Sequence, residues 1–149
     1  MAGKALTARQ VRRVEQAVDR AERMCGLQFA VFVGGVEDDP GAYAEQLMAD
    51  LGLSARPAVL VLVAPPQRRF EIRTAPHAQE RLSDAACRMA AVSMTASFAV
   101  GDIVGGVCEG LRLLAQHAGP GEPERGEDEL PDVLLGTQVA PPAAVAPAG

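Results

Sequence analysis

Apolar positions recur along this chain in two periods, and the changes of period mark its elements. Val11, Val14, Val18, Ala21 and Cys25 share one stripe at helical spacing. Thr7 and Gln10 form a capping box ahead of that stripe, with Leu6 and Val11 placed as a hydrophobic staple. Gly26 is a natural C′ stop. Residues 27–33 are apolar on nearly both faces, as a buried parallel strand requires. Asp39-Pro40 opens a second helix, an N-cap followed by proline at the first helical position. Its inner stripe is Tyr43, Leu47 and Leu51, and Gly52 ends it.

Residues 58–64, "AVLVLVA", read as a central strand. After "PPQRR", Phe70, Ile72 and Thr74 alternate with Glu71 and Arg73, which predicts a half-exposed antiparallel edge strand. The two strands form a hairpin with a four- or five-residue loop. A short helical piece follows Pro76. Ser83 caps a further helix, with Asp84 in its first turn and Cys87, Ala90, Met94 and Phe98 inward. Gly101-Asp102 breaks the chain before a last helix over 103–118, with Ile103, Val107, Leu111 and Leu114 inward. Gly106 and Gly110, one turn apart, each cost that helix about 1 kcal/mol against Ala, so close approach of another backbone, in a tight helix–helix or helix–sheet contact, is expected there.

The order α-β-α-β-β-α-α predicts an α/β fold. A right-handed crossover through the second helix makes strands 1 and 2 parallel. The expected architecture is a three-layer α/β/α sandwich with a small mixed sheet. Six of the eleven prolines fall in the last 31 residues, so the domain is expected to span 1–118 and 119–149 to form a disordered acidic, Pro/Ala-rich tail. "LPDVLLG", residues 130–136, interrupts that tail with four apolar side chains. It either packs on the domain, stays loose or docks on a partner.

Charge sharpens this division. The net charge of −5 lies in the tail, where six acids face Arg125 alone, while residues 1–118 carry 13 bases and 13 acids. A neutral folded part argues against nucleic-acid binding. Thirteen arginines against one lysine, no asparagine and two isoleucines point to a GC-rich genome of the actinomycete kind. No run of apolar residues is long enough for a transmembrane span and no secretory signal opens the chain, so a cytoplasmic protein is expected. Cys25, Cys87 and Cys108 are scattered and read as small buried apolar residues.

Candidate chemistry is sparse. "VGGVEDD", residues 33–39, places glycines between a strand and a helix, but Glu37, Asp38 and Asp39 occupy the place of a phosphate and would repel one. The glycines fit neither nucleotide fingerprint. Those three carboxylates with Asp102 are the candidate ligands for Ca²⁺ or Mg²⁺, a hard-cation site at the strand ends. His77 is the candidate acid of a divalent-metal-dependent phosphatase, and His117 suits a helix C-terminus. No nucleophile, base and acid set is found, so no catalytic residue is assigned. Arg9, Arg12, Arg13, Arg20 and Arg23 lie on one arc of helix 1, a candidate surface for a protein partner, an anion or peripheral membrane contact. The acidic tail could screen this arc and compete with a partner. Outward-pointing Glu71 and Arg73 guard the edge strand, so a monomer is expected.

The segments "GLQFAVFV", "AYAEQLMADLGL", "AVLVLVAPPQRRFEIRT", "ERLSD" and "FAVGDIVGGVCEGLRLLAQ" together resemble the TPM domain, and more closely the actinobacterial TPM-like family of unknown function. The resemblance covers residues 6–118 and implies the same α/β/α sandwich. Some TPM proteins are associated with photosystem repair, acid phosphatase activity and Ca²⁺ binding, and others with membrane proteins. Asp84 and Asp102 match recurrent acids of the family. "SARPAVLVLV" and "TAPHA" depart from it where a metal or phosphate site would be assembled, so the phosphatase chemistry is not carried over. The resulting expectation is a non-catalytic interaction or regulatory module, linked to membrane or envelope machinery.

Overall fold

The computed structural model describes residues 6–122 and 133–135. Helix α1 spans Ala8–Cys25, strand β1 Gln28–Val33, helix α2 Pro40–Asp50 and strand β2 Ala58–Ala64. Strand β3 spans Arg69–Thr74, followed by the short helix α3 (Pro76–Gln79), α4 (Asp84–Ala99), α5 (Ile103–Ala118) and strand β4 (Val133–Leu135). The capping box of Thr7 and Gln10 is formed, and Gly26 closes α1 at φ 83°. Gly26 has a second duty, because a Cβ there would sit 2.5 Å from the carbonyl oxygen of Glu122. The chain leaving α5 therefore crosses the end of α1 at a point only glycine leaves open.

The sheet order is β3-β2-β1-β4. β1 and β2 are parallel, with Gln28 opposite Ala58, and β2 and β3 form the expected antiparallel hairpin. One face of the sheet (Phe29, Val31, Val33, Val59, Val61, Val63) packs on α1, α4 and α5. The other (Ala30, Phe32, Ala58, Leu60, Leu62, Ala64) packs on α2. This strict alternation gives the three-layer α/β/α arrangement, because successive strand side chains point to opposite faces.

Four details differ from the sequence expectation. A fourth strand exists: Val133, Leu134 and Leu135 pair in parallel with Val31, Phe32 and Val33. Val133 and Leu135 pack on the three-helix side and Leu134 on the α2 side. The segment within 130–136 thus serves the core of the domain, and the boundary at 118 does not hold for these three residues. The physical reason is β1, which is buried between the two helical layers, so the backbone N–H and C=O groups on both of its edges need partners. The rest of the expected tail, residues 123–132 and 136–149, lies outside the described residues.

The second difference concerns Gly106 and Gly110. The tight helix–helix contact expected there is made, with α4, but what approaches is side chain rather than backbone: the Phe98 ring at Gly106 and the Met94 thioether at Gly110. Third, the buried stripe of α2 is Ala44, Leu47 and Met48, with Tyr43 and Leu51 half-buried at its margins. Fourth, Cys25 is buried, but Cys87 and Cys108 are half-buried. Burial pushes all three thiols up, away from the reactive thiolate.

Candidate functional site

The sequence raised two candidate sites, and the fold treats them differently. Asp39 is the N-cap of α2: its carboxylate accepts from the amide of Ala42 at 3.0 Å and from Arg69 at 3.3 Å. Arg69 and Arg73 of β3 continue as ion pairs to Glu71, and Arg73 also reaches Glu45 on α2 and the carbonyl of Gly41. A ladder of charge therefore ties α2 to the outer side of β3. Asp102 is the N-cap of α5, accepting from the amide of Gly105 at 2.9 Å. α2 and α5 lie on opposite faces of the sheet, so Asp39 and Asp102 start helices in different layers. Glu37 and Asp38 are exposed in the loop before α2, and His77 is exposed on α3. Among the described residues, no three His, Cys, Asp or Glu side chains come together as a metal site.

The glycine loop is likewise occupied by the protein itself. The amide of Gly34 donates to the carbonyl of Val63 at 3.0 Å, and that of Val36 to the Gln67 side chain at 3.2 Å. Gln67 returns its own amide to the carbonyl of Val36. Two of the loop amides are thus engaged, one by β2 and one by the β2–β3 turn.

The amide of Ala42, and then the Arg69 guanidinium, hold the Asp39 carboxyl below its ordinary range. A depressed pKa in the folded state stabilises the fold above the unfolded pKa, and that contribution is lost as the pH falls through the folded value. Asp39→Asn keeps a capping oxygen but not the charge. The melting temperatures of wild type and Asp39→Asn should therefore converge as the pH drops below about 4, and lie furthest apart near neutrality. Parallel melting curves at every pH would show that the charge contributes nothing.

The arginine arc becomes one bank of a groove. At about 100° per residue, Arg9, Arg12, Arg13, Arg20 and Arg23 fall within roughly a quarter of the helix circumference, and all five are exposed. None is ion-paired with a described carboxylate. Between α1 and α5 runs a groove of about 420 Å³ whose floor includes Ala17, Ala21, Gly105 and Ala115. Arg13, Arg20 and Met24 stand on the α1 side, and Cys108, Glu109 and Arg112 on the α5 side. Arg112 holds Glu109 in a two-pronged pair of 3.1 and 2.6 Å, which lowers the carboxyl pKa and keeps that charge neutralised. The Cys108 thiol donates weakly to the carbonyl of Arg13 at 3.9 Å, bridging the two helices. Among the described residues, Arg13 and Arg20 are therefore the groove charges without an ion-pair partner. Sequence reasoning found its α1 bank but not the α5 bank, which exists only once the two helices lie side by side.

No helix among the described residues is long and apolar enough to cross a membrane. In sequence, the chain is 24% identical over 108 residues to Uncharacterized protein Rv2468c of Mycobacterium tuberculosis, covering 72% of this chain and 64% of that relative. It thus spans less than two thirds of the length of the curated relatives it matches. In structure it is similar to the BA42 protein of Bizionia argentinensis, with a TM-score of 0.76 at 21% identity over 88% of this chain and 95% of that one. The N-terminal domain of cg2496 protein from Corynebacterium glutamicum superposes with a TM-score of 0.62 at 14% identity, over 83% and 84% of the chains. These likenesses establish a shared fold. With its residues 3–115 matched by the family profile, the chain belongs to the family described as Domain of unknown function (DUF5130).

Proposed function

We propose that this protein is a non-catalytic interaction module of TPM-like fold that binds an acidic, helical segment of a protein partner in the α1/α5 groove. The observation that carries the reading is the groove itself: two guanidiniums, Arg13 and Arg20, with no ion pair among the described residues, beside a floor of small residues. A channel between two helices accepts a third helix, whose apolar face meets the floor and whose acids meet the rim. A flat anionic bilayer would reach the outer arginines but not the floor, so the concave shape favours a protein partner over a lipid surface. The resemblance to TPM proteins associated with membrane proteins supports a partner in the envelope machinery. The alternative, a divalent-metal phosphatase, would need Glu37, Asp38, Asp39 and Asp102 to converge, and these start helices or loops in different layers.

Fluorescence anisotropy with a labelled amphipathic peptide, glutamate on one face and leucine on the other, tests the proposal. Binding should weaken as salt rises, because exposed ion pairs are screened. Arg13→Glu combined with Arg20→Glu should weaken it about tenfold or more, as loss of 1.4 kcal/mol does. Arg69→Glu, on the α2 side of the sheet, should leave it unchanged. Absence of peptide binding, or equal binding by the double variant, would overturn the reading. Binding to phosphatidylglycerol vesicles but not to the peptide would replace it with a membrane surface.

A further inference from the structure

The outward face of α4 is the least expected surface of the molecule. Of its 16 residues only Asp84 and Arg88 are charged. Ala90 and Met94 fill its inward side, yet Met89 and Val92 on the outer side are 61% and 72% exposed, and Val100 beyond its end is 81% exposed. A helix apolar all round is ordinarily buried on all sides. Ala85, Met89, Val92, Ala96 and Ala99 are all exposed and follow each other at intervals of 4, 3, 4 and 3 residues. That is the spacing of a helix–helix seam, a second apolar stripe beside the one already used in the core.

We infer that this stripe docks on its own copy, with two α4 helices packed antiparallel about a twofold axis. The side-chain sizes carry the choice of occupant. With Val92 set against the partner's Ala96, Met89 falls against the partner's Ala99, and symmetry repeats both layers, so every large side chain meets a small one. The charges agree with the same register. Arg88 comes to lie beside the partner's helix C-terminus, where a cation is favoured. A lipid surface is the poorer occupant, since a helix lying on a membrane carries a rim of basic residues and α4 has one. The expectation of a monomer came from the guarded β3 edge, and this face lies elsewhere on the molecule. A single helix pair is smaller than the standard interface of about 1,600 Å², so the dimer should be weak, in the micromolar range or above.

Sedimentation velocity of the full chain from micromolar to near-millimolar concentration should show a monomer–dimer equilibrium. Val92→Glu should abolish it while leaving the circular dichroism melt within a few degrees of wild type, because the site is exposed. Mixing a Val92→Cys chain with an Ala96→Cys chain, each also carrying Cys87→Ser, should yield a disulfide-linked dimer under mild oxidation. A monomer at every concentration, or dimerisation untouched by Val92→Glu, overturns the inference. Failure of the two cysteine chains to cross-link while dimers form overturns the antiparallel register.

Discussion

Replacing Arg81 with alanine should lower the free energy of unfolding by about 2–4 kcal/mol, a large part of what a small domain has. Arg81 lies just after α3, and its guanidinium collects carbonyls from two helix ends. It donates to Cys25 at 2.6 Å, Ala118 at 3.2 Å, Gly119 at 2.7 Å and Pro120 at 3.2 Å. The last carbonyls of a helix have no partner within it. Here one planar cation serves the ends of both α1 and α5, and it does so at the point where Gly26 lets the departing chain pass. Truncation strands part-buried acceptors, and those water cannot reach lose about 1–3 kcal/mol each. Lysine should recover less than half of the loss, because a point charge on a flexible stem cannot fork across four acceptors. Urea denaturation of wild type, Arg81→Ala and Arg81→Lys measures this. Hydrogen exchange at Leu134 should also quicken in Arg81→Ala, since the chain leading to β4 is pinned there. An alanine variant within 0.5 kcal/mol of wild type would show that water replaces the clamp.

Arg81 also shows where a sequence stops being readable. Its partners are backbone carbonyls 37 to 56 residues away, and no side-chain pattern announces a carbonyl. Local signals fared better. The capping box of Thr7, the aspartate and proline at the start of α2, and the doubly apolar β2 each carry their structure within a few residues. β4 was harder, because three apolar residues amid proline and acid have too little length for a period. Its place became necessary only once β1 was seen to need a partner on its free edge. The same distinction holds for the sites. The α1 arginines were visible as an arc, whereas Arg112 and Cys108 joined them through tertiary packing. Asp39 was legible as a helix cap, but its Arg69 partner, 30 residues on, was not. The exposed stripe of α4 was present in the string of residues 85–99, but an apolar residue on a helix carries no mark of which face it occupies.

Gly106→Val should destabilise the protein by about 2–3 kcal/mol, against the helix propensity gained by removing a glycine. A Cβ at this position lies 2.5 Å from a ring carbon of Phe98 and 3.1 Å from the Cβ of Ser97. The ring has little room to yield, since its other side packs edge-on against Phe70 of β3 at 5.1 Å between centroids. Pushing it aside loosens the α4–β3 contact as well as the α4–α5 contact. The neighbouring Gly110 meets the thioether of Met94 instead, an unbranched chain that can re-form its rotamers. Gly110→Ala should therefore cost less than Gly106→Ala, although both gain the same intrinsic propensity of about 1 kcal/mol. Phe98→Leu should be destabilising alone, yet combined with Gly106→Val it should lose less than the sum of the two, because the removed ring vacates the space the valine needs. Urea denaturation of wild type, Phe98→Leu, Gly106→Val and the double variant gives this coupling directly. Strict additivity of Phe98→Leu and Gly106→Val would mean that the ring is not what forbids a side chain at 106, and that this glycine is there for some reason other than the packing of α4 on α5.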